Sequence, residues 1–311
     1  MQTEIRSSIP SLKQCLIASI VSFTYLLVSY LLIGFRNEQL ILAFIFVSLY
    51  LASPLSRKFI LGFSVFIVFW IIFDYMKAFP NYQFADVNIQ SLYRAERSLF
   101  GISIGNTTLT PNEYWESNHS PFLDVMSGFF YLCWVPVPLM FAFLLFLRNR
   151  NLFLQFSLTF LLVNLIGFVI YYLYPAAPPW FVQHHGFDFI ANTPGNTAGL
   201  ARFDEFFNIS LFHSMYAKSS NVFAAMPSLH SAYPLIVFYY GLKAELGWIN
   251  LLFAIIIIGI WFAAVYTGHH YVLDVLAGIA CASIGISLFK LLRDRNERFK
   301  AFLNGYTRLI S

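Results

Sequence analysis

Long apolar runs separated by short polar breaks dominate the chain. Eight stand out, near residues 12–35, 39–55, 59–76, 122–147, 152–174, 229–246, 248–267 and 270–292. A bilayer core takes about 20 apolar residues per helix, and in lipid each backbone donor must be satisfied within its own segment, which predicts helices. Runs such as Leu251 to Ile260 do not alternate as the strands of a membrane barrel do. The runs 152–174 and 248–267 carry no charged side chain, whereas 39–55 and 59–76 are short and joined by Ser53-Pro54-Leu55-Ser56-Arg57-Lys58. A re-entrant hairpin there is the competing reading. The pattern predicts an all-α, polytopic membrane bundle of about eight transmembrane helices.

Composition narrows the function classes. Of 311 residues, 59 % are hydrophobic, 11 % are charged and 36 are phenylalanine, and the mean hydropathy is +0.67. A soluble domain carries about 25 % charged residues, so a soluble enzyme and a disordered tail are excluded. The net charge of +4 comes from basic residues spread along the chain, so no nucleic-acid partner is implied. With eight spans and a cytoplasmic N-terminus, the inner side holds 13 Lys and Arg, from Arg6 and Lys13 to Arg308, and the outer side holds six. That asymmetry places both ends in the cytoplasm. The run from Cys15 is too long for a signal-peptide core and lacks a cleavage site, so it reads as an uncleaved first span. Cys15, Cys133 and Cys281 fall inside spans without paired spacing, as small buried hydrophobes do.

Four regions follow: N-terminal transmembrane helices in 1–76, an outer loop with an interfacial helix in 77–121, a catalytic membrane domain in 122–292 and a basic cytoplasmic tail in 293–311. In the first loop, Ser91 to Ile102 reads as an amphipathic helix on the membrane surface, with Arg94, Glu96 and Arg97 on its polar side. A second long loop covers 175–228. Three tripeptides, at Asn106, Asn118 and Asn208, match the glycosylation sequon, a pattern common enough by chance to decide nothing.

All seven histidines fall in outer loops or at outer span ends. His230 stands where the sixth span begins and His270 where the eighth begins. Two spans separate them, so both arrive at one membrane face, each at a helix N-terminus. Such ends offer free N–H groups and a positive dipole to a phosphate. Asp274 lies four residues after His270, on the same helix face, where it can accept the imidazole N–H and leave the other nitrogen as nucleophile. His269 is turned about 100° away. A histidine merely capping a helix is the bland reading. A metal site is the other, and adjacent histidines pointing apart without H-E-x-x-H spacing argue against it.

Pro227-Ser228-Leu229-His230-Ser231 and His269-His270-Tyr271-x-x-Asp274-x-x-Ala277-Gly278 resemble the signature of the type 2 phosphatidic acid phosphatase superfamily, in the variant of its inositol phosphorylceramide synthase branch. Ala177-Pro178-Pro179-Trp180 and Gly199-Leu200-Ala201-Arg202-Phe203-Asp204 resemble that branch too. Likeness runs through roughly 120–285. It implies a six-helix catalytic core and a metal-independent phosphotransferase without cofactor. His270 would be the nucleophile that forms a phosphohistidine, Asp274 its orienting carboxylate and His230 the acid and base. Arg202, Lys218, Ser228, His269 and Trp180 are the candidate substrate contacts. The implied partners are a phospholipid donor, phosphatidylinositol by resemblance, and a ceramide-like lipid alcohol as acceptor.

Two departures from the phosphatase pattern matter. Ala264 stands where that pattern has arginine, and the K-x-x-x-x-x-x-R-P element is absent near Tyr174-Pro175. Fewer cations suit a singly charged phosphodiester better than a phosphomonoester. The other readings are a lipid phosphate or polyprenyl pyrophosphate phosphatase using the same residues, and a non-enzymatic lipid binder or transporter. Charges gathered at one face, not near the midplane, count against a transporter. The topology puts the site on the non-cytoplasmic face, of the plasma membrane in a bacterium or the Golgi in a eukaryote.

Overall fold

The computed structural model describes residues 10–217 and 221–311; Arg6 and Lys218 lie outside the described residues. Among these, six helical stretches are long and apolar enough to cross a membrane, at Leu12–Ile33, Pro54–Ala78, Pro121–Arg148 (taken across a turn at 133–135), Arg150–Leu173, Ile249–Tyr266 and Val272–Arg295. The chain is an all-α polytopic membrane protein.

Helix α1 (Leu12–Ile33) leads into α2 (Asn37–Ala52) and α3 (Pro54–Tyr75). The break between the latter two is local chemistry. Ser53 is extended and its hydroxyl accepts the Ser56 N–H, while Pro54 takes the first helical position, where its missing N–H costs nothing. At 16 residues, α2 is about 24 Å long, short of the roughly 30 Å bilayer core. α3 is long enough by itself.

The run at 122–147 does not form one helix. α6 (Pro121–Leu132) and α7 (Pro136–Arg148) are separated by a three-residue turn. Pro136 has no N–H for the Leu132 carbonyl, and its ring crowds that carbonyl. α8 (Arg150–Leu173) follows, then α12 (Leu229–Lys243), α13 (Ile249–Tyr266) and α14 (Val272–Arg295). α12 is only 15 residues long, but it packs on α7, α8, α13 and α14. Ala232, Ile236, Val237 and Tyr240 are buried there. A helix enclosed by its neighbours need not match the bilayer on its own.

Phenylalanine fills the seams. Phe63 and Phe66 of α3 meet Phe153 and Phe160 of α8 at ring separations of 5.2 and 5.5 Å. α3 is thereby built into the same apolar core as α7, α8 and α12. The basic tail is not extended: α15 (Glu297–Ile310) folds back along α3, α8 and α14, buries Leu303 and Ile310 and donates from the Tyr306 hydroxyl to the Leu61 carbonyl at 2.7 Å.

The two long loops build a cap over one end of the bundle. The first contains α4 (Gln90–Phe100), a hairpin of β1 (Ile102–Ile104) with β2 (Thr107–Leu109) and α5 (Pro111–Ser117). The second contains α9 (Pro179–His185), α10 (Ala201–Phe207) and α11 (Leu211–Tyr216). Buried asparagines tie the cap down. Asn81 donates to the carbonyls of Tyr171 and Phe223 at 2.9 and 2.8 Å, and Asn112 to those of Val265 and His270 at 2.7 and 2.9 Å. Satisfied donors of this kind fix irregular backbone that an apolar contact would leave free.

Candidate active site

The short connection Thr267–Tyr271, outside both α13 and α14, carries His269 and His270. Gly268 adopts φ +74° there, a backbone state that suits glycine, and the tight turn lets the His270 N–H donate back to the Ala264 carbonyl at 3.0 Å. Ala264 itself is fully buried in a cluster with Tyr131, Ala263 and Val275. An arginine at this position has no room.

His230, in the first turn of α12, meets His270 directly: Nδ1 of the former lies 3.0 Å from Nε2 of the latter. The other ring nitrogen of His270 is 3.0 Å from the Ala225 carbonyl. A carbonyl only accepts, so Nδ1 carries the proton and Nε2 presents its lone pair toward His230. Burial pushes the His270 imidazole down to about 4, so it is neutral at pH 7, as a nucleophile must be.

Asp274 occupies a different post from the one its spacing suggests. Its Oδ2 is 3.7 Å from His270 Nδ1, beyond hydrogen-bond reach, and accepts the Tyr271 N–H at 2.8 Å. It caps α14 beside the ring, while the Ala225 carbonyl fixes the tautomer. Glu96 is the second departure. Arg94 and Arg97 are exposed on α4 as expected, but Glu96 is buried and accepts the N–H groups of Val272 and Leu273 at 2.9 and 3.1 Å. Burial raises its pKa, and the two backbone donors work against that rise. The first amides of α14, expected to face a phosphate, are thus occupied by two carboxylates. α12 begins at Ser228 with no side-chain cap.

Arg202 is likewise engaged. Its Nε donates to Asp124 at 2.7 Å and Nη1 to Glu116 at 3.1 Å, while the Tyr266 hydroxyl donates to Asp124 at 2.8 Å. Burial disfavours the Arg202 charge, but the two carboxylates outweigh that and hold its pKa above the ordinary value. Only Nη2 is without a hydrogen-bond partner among the described residues.

The remaining sequence candidates sort by geometry. Ser228 is fully buried; it accepts from the Ser231 hydroxyl at 3.0 Å and donates its N–H to the Asp274 carbonyl at 2.9 Å. It joins α12 to α14, where a Cβ on Gly278 would collide with the Ser228 carbonyl. Trp180 is buried with Phe181 and Phe223, and its N–H donates to the Gly268 carbonyl at 3.0 Å, bracing the histidine loop from outside. His269 lies 3.1 Å from the Thr267 hydroxyl, with its ring 4.6 Å from Tyr216. Lys218 lies outside the described residues. Sequence reasoning missed Tyr131, 3.2 Å from His230 Nδ1, and Trp134, edge-on to His230 at 4.5 Å. Tyr131 lies in the last turn of α6 and Trp134 in the α6–α7 break itself, and Pro136 was the available signal.

A membrane-embedded helical bundle holding two histidines in contact beneath a folded cap defines the class. The chain belongs to the type 2 phosphatidic acid phosphatase (PAP2) superfamily, whose family model matches residues 91–288. It is 42 % identical over 303 residues to a phosphoinositol dihydroceramide synthase of Bacteroides thetaiotaomicron, covering 97 % of this chain and 99 % of that one. An inositol phosphorylceramide synthase of Candida albicans is 26 % identical over 219 residues, 67 % of this chain and 42 % of its own. The catalytic subunit of the Saccharomyces cerevisiae inositol phosphorylceramide synthase is 26 % identical over 252 residues, 76 % of this chain and 58 % of its own. The chain thus spans about half the length of these fungal relatives. No solved structure matches it.

Proposed function

We propose that the protein is a lipid phosphotransferase that moves phosphoinositol from a glycerophospholipid to the hydroxyl of a ceramide-like lipid, through a phosphohistidine and on the non-cytoplasmic face. The contact between His230 and His270 carries this reading. His270 Nε2 attacks phosphorus, and the diacylglycerol oxygen leaves with a proton from His230. In the second step the acceptor hydroxyl returns that proton to His230 as its oxygen displaces His270. Asp274 stabilises the positive charge that grows on the His270 ring.

Charge accounting favours a phosphodiester donor. Arg202 is paired with two carboxylates, and the start of α14 is capped by Glu96 and Asp274. The start of α12, which meets no carboxylate among the described residues, suits one negative charge, whereas a phosphomonoester brings nearly two. The relative from Bacteroides, similar along its whole length, supports the same donor and acceptor classes.

The test is purified full-length protein in lipid nanodiscs with inositol-labelled phosphatidylinositol, with and without dihydroceramide. The expected product is inositol phosphoryl-dihydroceramide, formed only with the acceptor and lost in His270→Ala. Release of inositol phosphate at the same rate without dihydroceramide would identify a hydrolase instead.

A further inference from the structure

His270 has an orienting group of its own in the Ala225 carbonyl. His230 needs one as well if a single nitrogen is to give a proton and later take it back. The Tyr131 hydroxyl lies 3.2 Å from His230 Nδ1, the nitrogen that also faces His270. The Tyr216 hydroxyl donates to that of Tyr131 at 3.0 Å. Tyr131 is 1 % exposed and its ring is 5.2 Å from that of His230, so packing holds the phenol in place.

The distance between the histidines makes this contact consequential. Attack needs about 3 Å from nitrogen to phosphorus, and the leaving oxygen needs a further hydrogen bond of about 3 Å to its acid. Attacker and acid therefore work at least roughly 6 Å apart, twice the 3.0 Å observed. Entry of the phosphate must break the ring-to-ring hydrogen bond. Among the described residues, the partner then left to His230 Nδ1 is the Tyr131 hydroxyl.

We infer that Tyr131, held by Tyr216, is the positioning residue for His230. It keeps Nδ1 when the phospholipid parts the two rings, and leaves Nε2 as the proton-transferring atom. The inference rests on the phosphotransfer reading. In the first half-reaction the bond from phosphorus to His270 Nε2 forms, the bond to the diacylglycerol oxygen breaks, and the proton on His230 Nε2 goes to that oxygen. In the second, the acceptor oxygen bonds phosphorus, the phosphorus–nitrogen bond breaks, and the acceptor's proton goes to His230 Nε2. The Nδ1 proton stays throughout, shared with the Tyr131 oxygen. Trp134 against the His230 ring limits how far that ring can swing. His270 and Tyr131 are the titratable groups facing His230, with Tyr216 and His269 behind Tyr131.

Tyr131→Phe keeps the ring and removes the hydroxyl. In nanodiscs with phosphatidylinositol and dihydroceramide, kcat is expected to fall roughly 10- to 100-fold, a part of the usual acid–base contribution. The phosphatidylinositol KM stays within about twofold, since uniform binding is untouched. The alkaline limb of the kcat profile moves to lower pH, because the protonated ring has lost an acceptor. A wild-type kcat, or a lower kcat with an unmoved pH profile, overturns the inference. If Tyr131→Phe does not fold, Tyr216→Phe decides: a smaller alkaline-limb shift in the same direction supports it, and an unmoved profile overturns it. His270→Ala in the same assay separates the two levels. If it retains synthesis, the phosphohistidine reading fails; if it is inactive while Tyr131→Phe behaves as wild type, only the positioning role fails.

Discussion

α12 and α14 start at the same end of the bundle, each beside a histidine, and differ in what meets their first amides. At α14 the N–H groups of Tyr271, Val272 and Leu273 are taken by Asp274 and Glu96. At α12, Ser228 turns its N–H to the Asp274 carbonyl and its side chain to Ser231, so its own side chain does not cap the helix, and the Leu229 N–H meets the Tyr171 hydroxyl. One positive helix end meets two carboxylates, and the other meets a backbone carbonyl and the Tyr171 phenol instead. Two similar sequence positions thus end in different surroundings, one helix start held by two carboxylates and the other by none.

The comparison can be broken in order of effect. His270→Ala and His230→Ala should each lower synthesis to background in the nanodisc assay. The double variant should be no worse, since groups acting as a unit are not additive. A double variant much slower than either single one would show that the two ends act independently. Gly278→Ala should push the Ser228 loop off α14. Overpacking of this kind costs about 1–3 kcal/mol, and an ångström of misplacement costs roughly 100-fold in rate; thermal melting and turnover read the two. Glu96→Ala should destabilise by about 1–3 kcal/mol by leaving buried amides unpaired. It should also raise phosphatidic acid hydrolysis relative to phosphatidylinositol use, as α14 becomes a second anion-seeking end. Unchanged preference would refute the charge accounting.

Arg202→Lys should cost less, about 1 kcal/mol, through loss of the planar fork shared by Asp124 and Glu116, read as a lower melting temperature. Smallest is the pH effect on His270. With a pKa of about 4, His270 is still about nine-tenths neutral at pH 5. Phosphohistidine formation should therefore lose little to His270 protonation between pH 7 and 5, and fall as pH drops through about 4, in rapid-quench measurements.

The apolar runs predicted the helices, and counting spans brought His230 and His270 to one end of the bundle, where they meet. What escaped was carried by groups without a side-chain signature or by contacts distant in sequence. The Ala225 carbonyl belongs to every residue type alike. Glu96 falls on the polar side of an amphipathic pattern, and only packing of α4 against α14 converts it to a buried cap. The apolar character of 122–147 masked the break at Pro136, and with it Tyr131 and Trp134. Arg202 was legible as a cation near the site, whereas its partners Asp124 and Glu116 had no spacing to announce them.

The aromatic seam between α3 and α8 sets a practical limit on trimming. A shortened version that starts at the cap would strip Phe63 and Phe66 from Phe153 and Phe160, exposing the back of α8 to lipid and leaving α15 without its anchor at Leu61. Deleting α1 and α2 while keeping everything from Ser53 onward preserves both attachments, so the smallest piece worth expressing starts there.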